Sequence, residues 1–325
     1  MLSRVADSIY WMTRYMERAE NVARFVDVNL HLMLDLPAET EQQWEPLVNI
    51  TGDRAMFKEH FGEFTRENVI QFLTFDPDYP NSILGCCHRA RENARSVREV
   101  ISSEMWIQIN RLYLRVRNAA YSEFDLMHMP HEFFQSVKLA GHTFEGVMDA
   151  TMSHGEPWHF GRLGRFLERA DKTSRILDMK YFILLPDVSY VGSPYDSIQW
   201  AALLRSASAL EMYRKRHGRI VPKMVVEFLL LDDTFPRAVR YCVRRAEESL
   251  RAISGSAPGS YRNAAEQRLG RLRAALDFAS TSEIMSRGLH EFLDDLQAEL
   301  NTVGSEIRDA TFALVPTSGQ FQAQS

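Results

Sequence analysis

Apolar residues recur at Val5, Ile9, Met12, Met16, Ala19, Ala23, Val26, Leu30 and Met33, in alternating steps of three and four. That spacing predicts one face of a long helix ending before Pro37. The same period runs through Ala90, Ala94, Val97, Ile101, Met105, Ile109, Leu112 and Val116, read as one helix, and through Phe133, Val137, Ala140, Phe144 and Val147. A further stripe, Leu163, Leu167, Ala170, Ser174, Leu177, Tyr181 and Leu184, leads into a stretch rich in Gly, Ser and Pro at 186–194. Helical spacing resumes near Ile198. Asp233-Thr234-Phe235-Pro236 reads as a capped helix start with proline in its first turn, feeding Val239, Cys242, Val243, Ala246, Leu250 and Ile253. After a break at 254–260, one last long helix is predicted over about residues 261–310, with Leu269, Leu272, Leu276, Ile284, Leu293, Leu296 and Leu300 inside. No strand-like alternation stands out, so the pattern predicts an all-α, multi-helix bundle. The expected division is a bundle over 1–188, a helical part over 189–312 packed on it or continuous with it, and a flexible tail over 313–325.

Composition narrows the function classes. At 325 residues with 45% hydrophobic content, a packed core is expected. The net charge of −5, with basic residues scattered, gives no footprint for nucleic acid. No apolar run is long enough to span a membrane and no signal peptide opens the chain, so a cytoplasmic location is expected. Cys86, Cys87 and Cys242 match neither a disulfide framework nor a metal knuckle, and are expected to be buried thiols.

The most specific feature is an internal match. Arg14-Tyr-Met-Glu17-Arg18-Ala19-Glu20, continuing through Arg24 and Asp27, returns at a constant offset of 151 as Arg165-Phe-Leu-Glu168-Arg169-Ala170-Asp171 through Arg175 and Asp178. Six of the fourteen paired positions are identical, and the apolar stripes stay in register. At 100° per residue, Arg14, Glu17, Glu20, Asn21 and Arg24 occupy a sector of about 120° roughly opposite the stripe. Spacing lets Arg14 meet Glu17 and Glu20 meet Arg24, with Arg165–Glu168 and Asp171–Arg175 repeating the arrangement. Three readings follow: a solvated face of weak ion pairs, a paired network between the two helices, or a cleft in which carboxylates take an amine and guanidinium groups a carboxylate or phosphate. A di-metal bundle site needs Glu-x-x-His, whereas Glu20 and Asp171 stand there with arginines close by, so no metal is expected.

On these residues the chain resembles the bacterial alpha-E family, named for a helical domain with a recurrent Glu-Arg motif. The resemblance covers nearly the whole chain. It is carried by residues 1–12 leading into Glu17-Arg18, by Ala90 to Arg98 running into Ile101 to Trp106, by Glu168-Arg169, and by Phe235 to Arg240. It implies an all-helical protein usually encoded beside, or fused to, a circularly permuted ATP-grasp protein and a transglutaminase-like protein, neighbours that resemble a system for ATP-dependent amide-bond formation and for cutting or exchanging such bonds.

Other candidates are weaker. His154 and His159 flank Gly155-Glu-Pro-Trp158 just before the second Glu-Arg helix, where an imidazole can serve as acid or base. Arg89, Arg91, Arg95 and Arg98 form a basic face whose plainer reading is pairing with Glu92, Glu99 and Glu104. No phosphate loop, dinucleotide fingerprint, nucleophile elbow or His-Glu-x-x-His helix occurs, and no cofactor is expected. Three functions therefore compete. The first is an accessory or scaffold subunit, whose substrate-binding residues would be Arg14, Glu17, Arg18, Glu20, Arg24, Arg165, Glu168, Arg169, Asp171 and Arg175. The second is a helical enzyme acting on an amide or amine through Glu17 and Glu168 with His154 or His159. The third is a structural homo-oligomer.

Overall fold

The computed structural model describes residues 1–35, 44–122, 130–182, 194–257 and 259–312. Among them are fifteen α-helices and no strand, so the fold is all-α. The 188/189 boundary, most of the 186–194 stretch and the 313–325 tail lie outside the described residues.

The N-terminal helices are α1 (Ser3–Asp35), α2 (Glu45–Asn49), α3 (Arg54–His60), α4 (Arg66–Thr74), α5 (Ile83–Ser96), α6 (Ser103–Tyr121) and α7 (Pro130–Thr151). The second Glu-Arg helix is α8 (Glu156–Phe182). Beyond it come α9 (Pro194–Ser206), α10 (Leu210–His217), α11 (Pro222–Leu231), α12 (Val239–Ser254), α13 (Ala264–Phe278), α14 (Thr281–Arg287) and α15 (Leu289–Ile307).

Three expected helix limits need correction, each for a local reason. The stripe from Ala90 to Val116 belongs to two helices. Ser102 adopts extended backbone and its Oγ accepts from the Met105 N–H at 3.2 Å, starting α6 afresh. The expected last long helix is three, because Ser280 and Glu283 form a reciprocal capping box and Gly288 takes φ 105°, a left-handed value open to glycine. The Pro236 helix starts later, at Val239. Asp232 Oδ1 accepts from the N–H groups of Thr234 and Phe235, at 2.8 and 2.7 Å, and holds 232–235 as a turn before α12.

Helices α1 and α8 are the axis of the fold. α1 packs against α5, α7 and α8, while α8 packs against α12, α15 and α1. Two apolar clusters follow from this: one runs from Val5 through α7, and the other joins Leu163, Phe166, Leu167 and Ala170 of α8 to α9–α15. The α1–α8 crossing is close because α8 offers glycines there. Thr13 Oγ1 donates to the Gly161 carbonyl at 2.8 Å, and a Cβ on Gly164 would stand 2.4 Å from the Tyr10 carbonyl oxygen.

All three cysteines are buried, as their residue type predicts. Burial pushes the Cys86 and Cys242 thiols up to about 12 and raises Cys87 well above its ordinary value. A thiol-reactive disulfide reagent at pH 8 is therefore expected to label none of them until denaturant is added. Rapid labelling of the native protein would show an opening of the core around α5 or α12.

Candidate functional site

The polar sector of α1 does not face water. Because α1 runs through the middle of the protein, Glu17, Glu20, Asn21, Arg24 and Asp27 are buried together with the apolar stripe. The matched residues Arg165, Glu168, Arg169, Asp171 and Asp178 of α8 are buried as well. The solvated-face reading is thereby excluded.

Between the helices the motif residues pair reciprocally. Arg169 grips Glu17 with Nε to Oε1 at 2.9 Å and Nη2 to Oε2 at 2.8 Å. Arg18 grips Glu168 through the same atoms, at 2.6 and 2.9 Å. Both are bidentate, the geometry that planar guanidinium and carboxylate groups favour. The expected Arg14–Glu17 and Arg165–Glu168 contacts within each helix are replaced. Arg14 Nε crosses to Glu168 Oε2 at 2.8 Å, and Arg165 turns to Glu145 of α7 at 3.1 Å. The other two expected contacts form: Glu20 pairs with Arg24, and Asp171 accepts from Arg175 Nε at 3.0 Å.

Sequence reading missed three members of this network. Arg237, held in the turn before α12, donates to Glu20 at 2.7 and 3.0 Å and to Glu17 at 3.1 Å. Glu145 accepts from Arg169 at 2.8 Å, and Lys172 lies 3.5 Å from Glu168. Arg237 sat within the stretch that carried the family resemblance, but nothing in its spacing tied it to residue 17. Together, Arg14, Arg18, Arg24, Arg165, Arg169, Lys172, Arg175 and Arg237 face Glu17, Glu20, Glu145, Glu168 and Asp171. Cations therefore outnumber carboxylates in a largely buried region.

Glu168, Glu20 and Asp171 are held in their charged form. Burial works to raise Glu168, but Arg18, Lys172 and Arg14 overcome it and hold the group well below the usual carboxylate range. Glu20 is likewise held down against burial by Arg237 and Arg24. Asp171, buried beside Lys172 and Arg175, falls from 3.8 to about 2. Folded values below the unfolded ones mean stability that is complete above the ordinary carboxyl range and is lost as pH falls through the folded values. The midpoint of urea unfolding is expected to hold steady from pH 7 to 5 and then drop, with the Asp171 share disappearing between about 3.8 and 2. A midpoint unchanged down to pH 3 would contradict the network.

His154 and His159 stand apart from the Glu-Arg pairs. His154 is exposed, stacks on Trp158 at 4.1 Å and contacts the Asp149 carbonyl at 3.0 Å. Burial and Arg162 lower His159, whose Nδ1 has no hydrogen-bond partner. Asp27, His31 and His131 each place a possible ligand atom within 4.8 Å of the others. Asp27 is already satisfied there by Lys138 at 2.6 Å and His131 at 2.8 Å. The basic residues of α5 and the turn after it find partners too: Arg91 reaches Asn110 and Glu92, Arg95 pairs with Glu92, and Arg98, beyond the end of α5, lies over Trp106.

Two spaces border the network. A cleft of about 630 Å³ opens between α1, α7 and the α9–α10 connection, lined by Arg24, Lys138, His142, Arg205, Ser208 and Glu211 among others. A cavity of about 30 Å³ lies beside Arg18, Tyr79, Asn81, Lys172 and Arg175. No described helix is long and apolar enough to cross a membrane.

An all-helical protein organised on two long helices locked by Glu-Arg pairs is thus the class that fold and site define. A family model described as a predicted alpha-helical domain with a conserved ER motif matches residues 1–312, and the chain belongs to this Alpha-E family. Uncharacterized proteins of Mycobacterium bovis and Mycobacterium tuberculosis are each 25% identical to it over 333 residues, covering 97% of this chain and 36% of theirs. The chain thus spans about a third of the length of these relatives. No solved structure matches it.

Proposed function

We propose that the protein is an accessory, substrate-presenting subunit of an ATP-dependent amide-bond-forming system, acting with a circularly permuted ATP-grasp protein and a transglutaminase-like protein on a peptide. The observation that carries this reading is the state of Glu17 and Glu168. Each is closed in a bidentate guanidinium pair, and Glu168 is fully buried. A carboxylate so held has no path to a substrate, so the helical-enzyme alternative through these two residues loses its reacting groups. The pairs instead fasten the N-terminal and C-terminal clusters together and hold the cleft walls in place. The mycobacterial relatives add support, since about two thirds of their length lies outside the matched region and can house other activities.

Affinity purification of the tagged chain from its native cell, followed by mass spectrometry and an ATP-turnover assay on the co-purified material, tests the proposal. Recovery of an ATP-grasp protein whose turnover rises with added chain is expected. A chain that recovers no such protein, or one whose turnover ignores it, would overturn the reading.

A further inference from the structure

Around the 630 Å³ cleft, several independent features share one electrostatic sign. Arg24 is only 5% exposed and lines the cleft, yet its Nε has no hydrogen-bond partner. Its Nη1 donates to the Ser208 hydroxyl and its Nη2 to Glu20, with His142 Nε2 also 3.3 Å from Nη2, and Glu20 is claimed by Arg237 as well. One carboxylate is thus shared between two guanidinium groups, Arg24 and Arg237, and Arg24 is left short of negative charge. Burial and the nearby Arg237 push it down from its ordinary value, as expected of an under-compensated cation.

Ser208 is the one non-glycine with positive φ among the described residues, at 50°. Such backbone is costly for a residue with a Cβ and clusters where a ligand or contact must be met. Here it aims the hydroxyl at Arg24 and turns the chain into α10. That helix begins at Leu210, beside the cleft, and no side chain caps it. Its first-turn N–H groups and the positive end of its dipole are suited to an anion. On the facing wall stand His142 and Lys138 of α7, the Lys138 ammonium 2.6 Å from Asp27 Oδ2. The carboxylates in the lining are Asp27, already paired with Lys138, and the exposed Glu211.

We propose that this cleft binds a compact oxyanion, a carboxylate or phosphoryl group at the end of a small ligand, through Arg24, Lys138, His142 and the open start of α10. Its volume falls within the range of about 300–1,000 Å³ usual for small-molecule sites, so a short peptide end or a phosphorylated small molecule fits. The site stands on its own geometry and does not depend on the accessory-subunit reading.

Titration calorimetry of the full chain with inorganic phosphate, acetate and glycylglycine tests it. One saturable site for at least one probe is expected, and the probe that binds tells phosphoryl from carboxylate. Lys138→Gln should weaken binding by about tenfold, the worth of one charge-assisted hydrogen bond. Glu211→Gln should tighten it by removing a repelling charge. Leu139→Trp, at a position 66% exposed on the cleft wall and so harmless to the fold, should block it. No binding of any probe, or binding that all three variants leave unchanged, would overturn the proposal.

Discussion

Glu168→Ala is expected to lower the free energy of unfolding by about 3–5 kcal/mol, the usual cost of removing one partner from a buried ion pair. The effect is large because the carboxylate serves three cations at once: Arg14 at 2.8 Å, Arg18 at 2.6 Å and Lys172 at 3.5 Å. Each would remain in a largely buried region, with 15–17% of its side chain exposed. Glu168→Gln keeps the shape and should cost nearly as much, since the amide brings no negative charge and one of its two ends donates. The diagnostic comparison is Glu168→Gln with Arg18→Met, alone and together. Removing the stranded guanidinium should return part of the loss, so the double variant should be more stable than the sum of the singles requires. Urea unfolding of the four proteins measures this; a Glu168→Gln cost under about 1 kcal/mol would place the pair among solvated surface bridges.

The second large effect is expected where the helices cross. A methyl group on Gly164 would sit 2.4 Å from the Tyr10 carbonyl oxygen and 2.8 Å from Thr13 Oγ1. The nearest obstacle is backbone, which cannot rotate away as a side-chain tip can, so α1 and α8 would have to separate. Overpacking of this kind costs about 1–3 kcal/mol. Separation would also stretch the reciprocal Glu17–Arg169 and Glu168–Arg18 pairs, so Gly164→Ala should fall at or above the top of that range. Gly146→Ala is the control, because nothing lies within 4 Å of a Cβ there and alanine favours a helix. If the two variants melt alike, the close crossing is not what holds the helices.

The helical content and the ends of α1 could be read from periodicity, because an apolar stripe every three or four residues is a local demand of a helix packed on a core. The extra breaks near residues 97–102, 279–280 and 288 were harder, since the stripe continues across them. Ser280-x-x-Glu283 is a legible capping signal, and closer weight on it would have divided the last helix. The candidate site was legible in part. Its motif residues were recognised as a charged set, and the intrahelical contacts Glu20–Arg24 and Asp171–Arg175 follow from a spacing of four.

What the sequence alone determined, then, is an all-α chain with two matched Glu-Arg helices and the identity of most charges that meet between them. Which charge meets which was decided by tertiary structure. A long arginine side chain can turn along its own helix or across to a neighbour, and the spacing of Arg14 permits Glu17 and Glu168 alike. Only the close crossing at Gly161 and Gly164 brings Glu168 within reach, and only the Asp232 turn delivers Arg237 to Glu17 and Glu20 from more than two hundred residues away. Burial, too, was a tertiary decision. A polar sector opposite an apolar stripe reads as solvent-facing on a helix with one covered side, but α1 is packed between α5, α7 and α8, so the same residues form the buried ionic centre of the molecule.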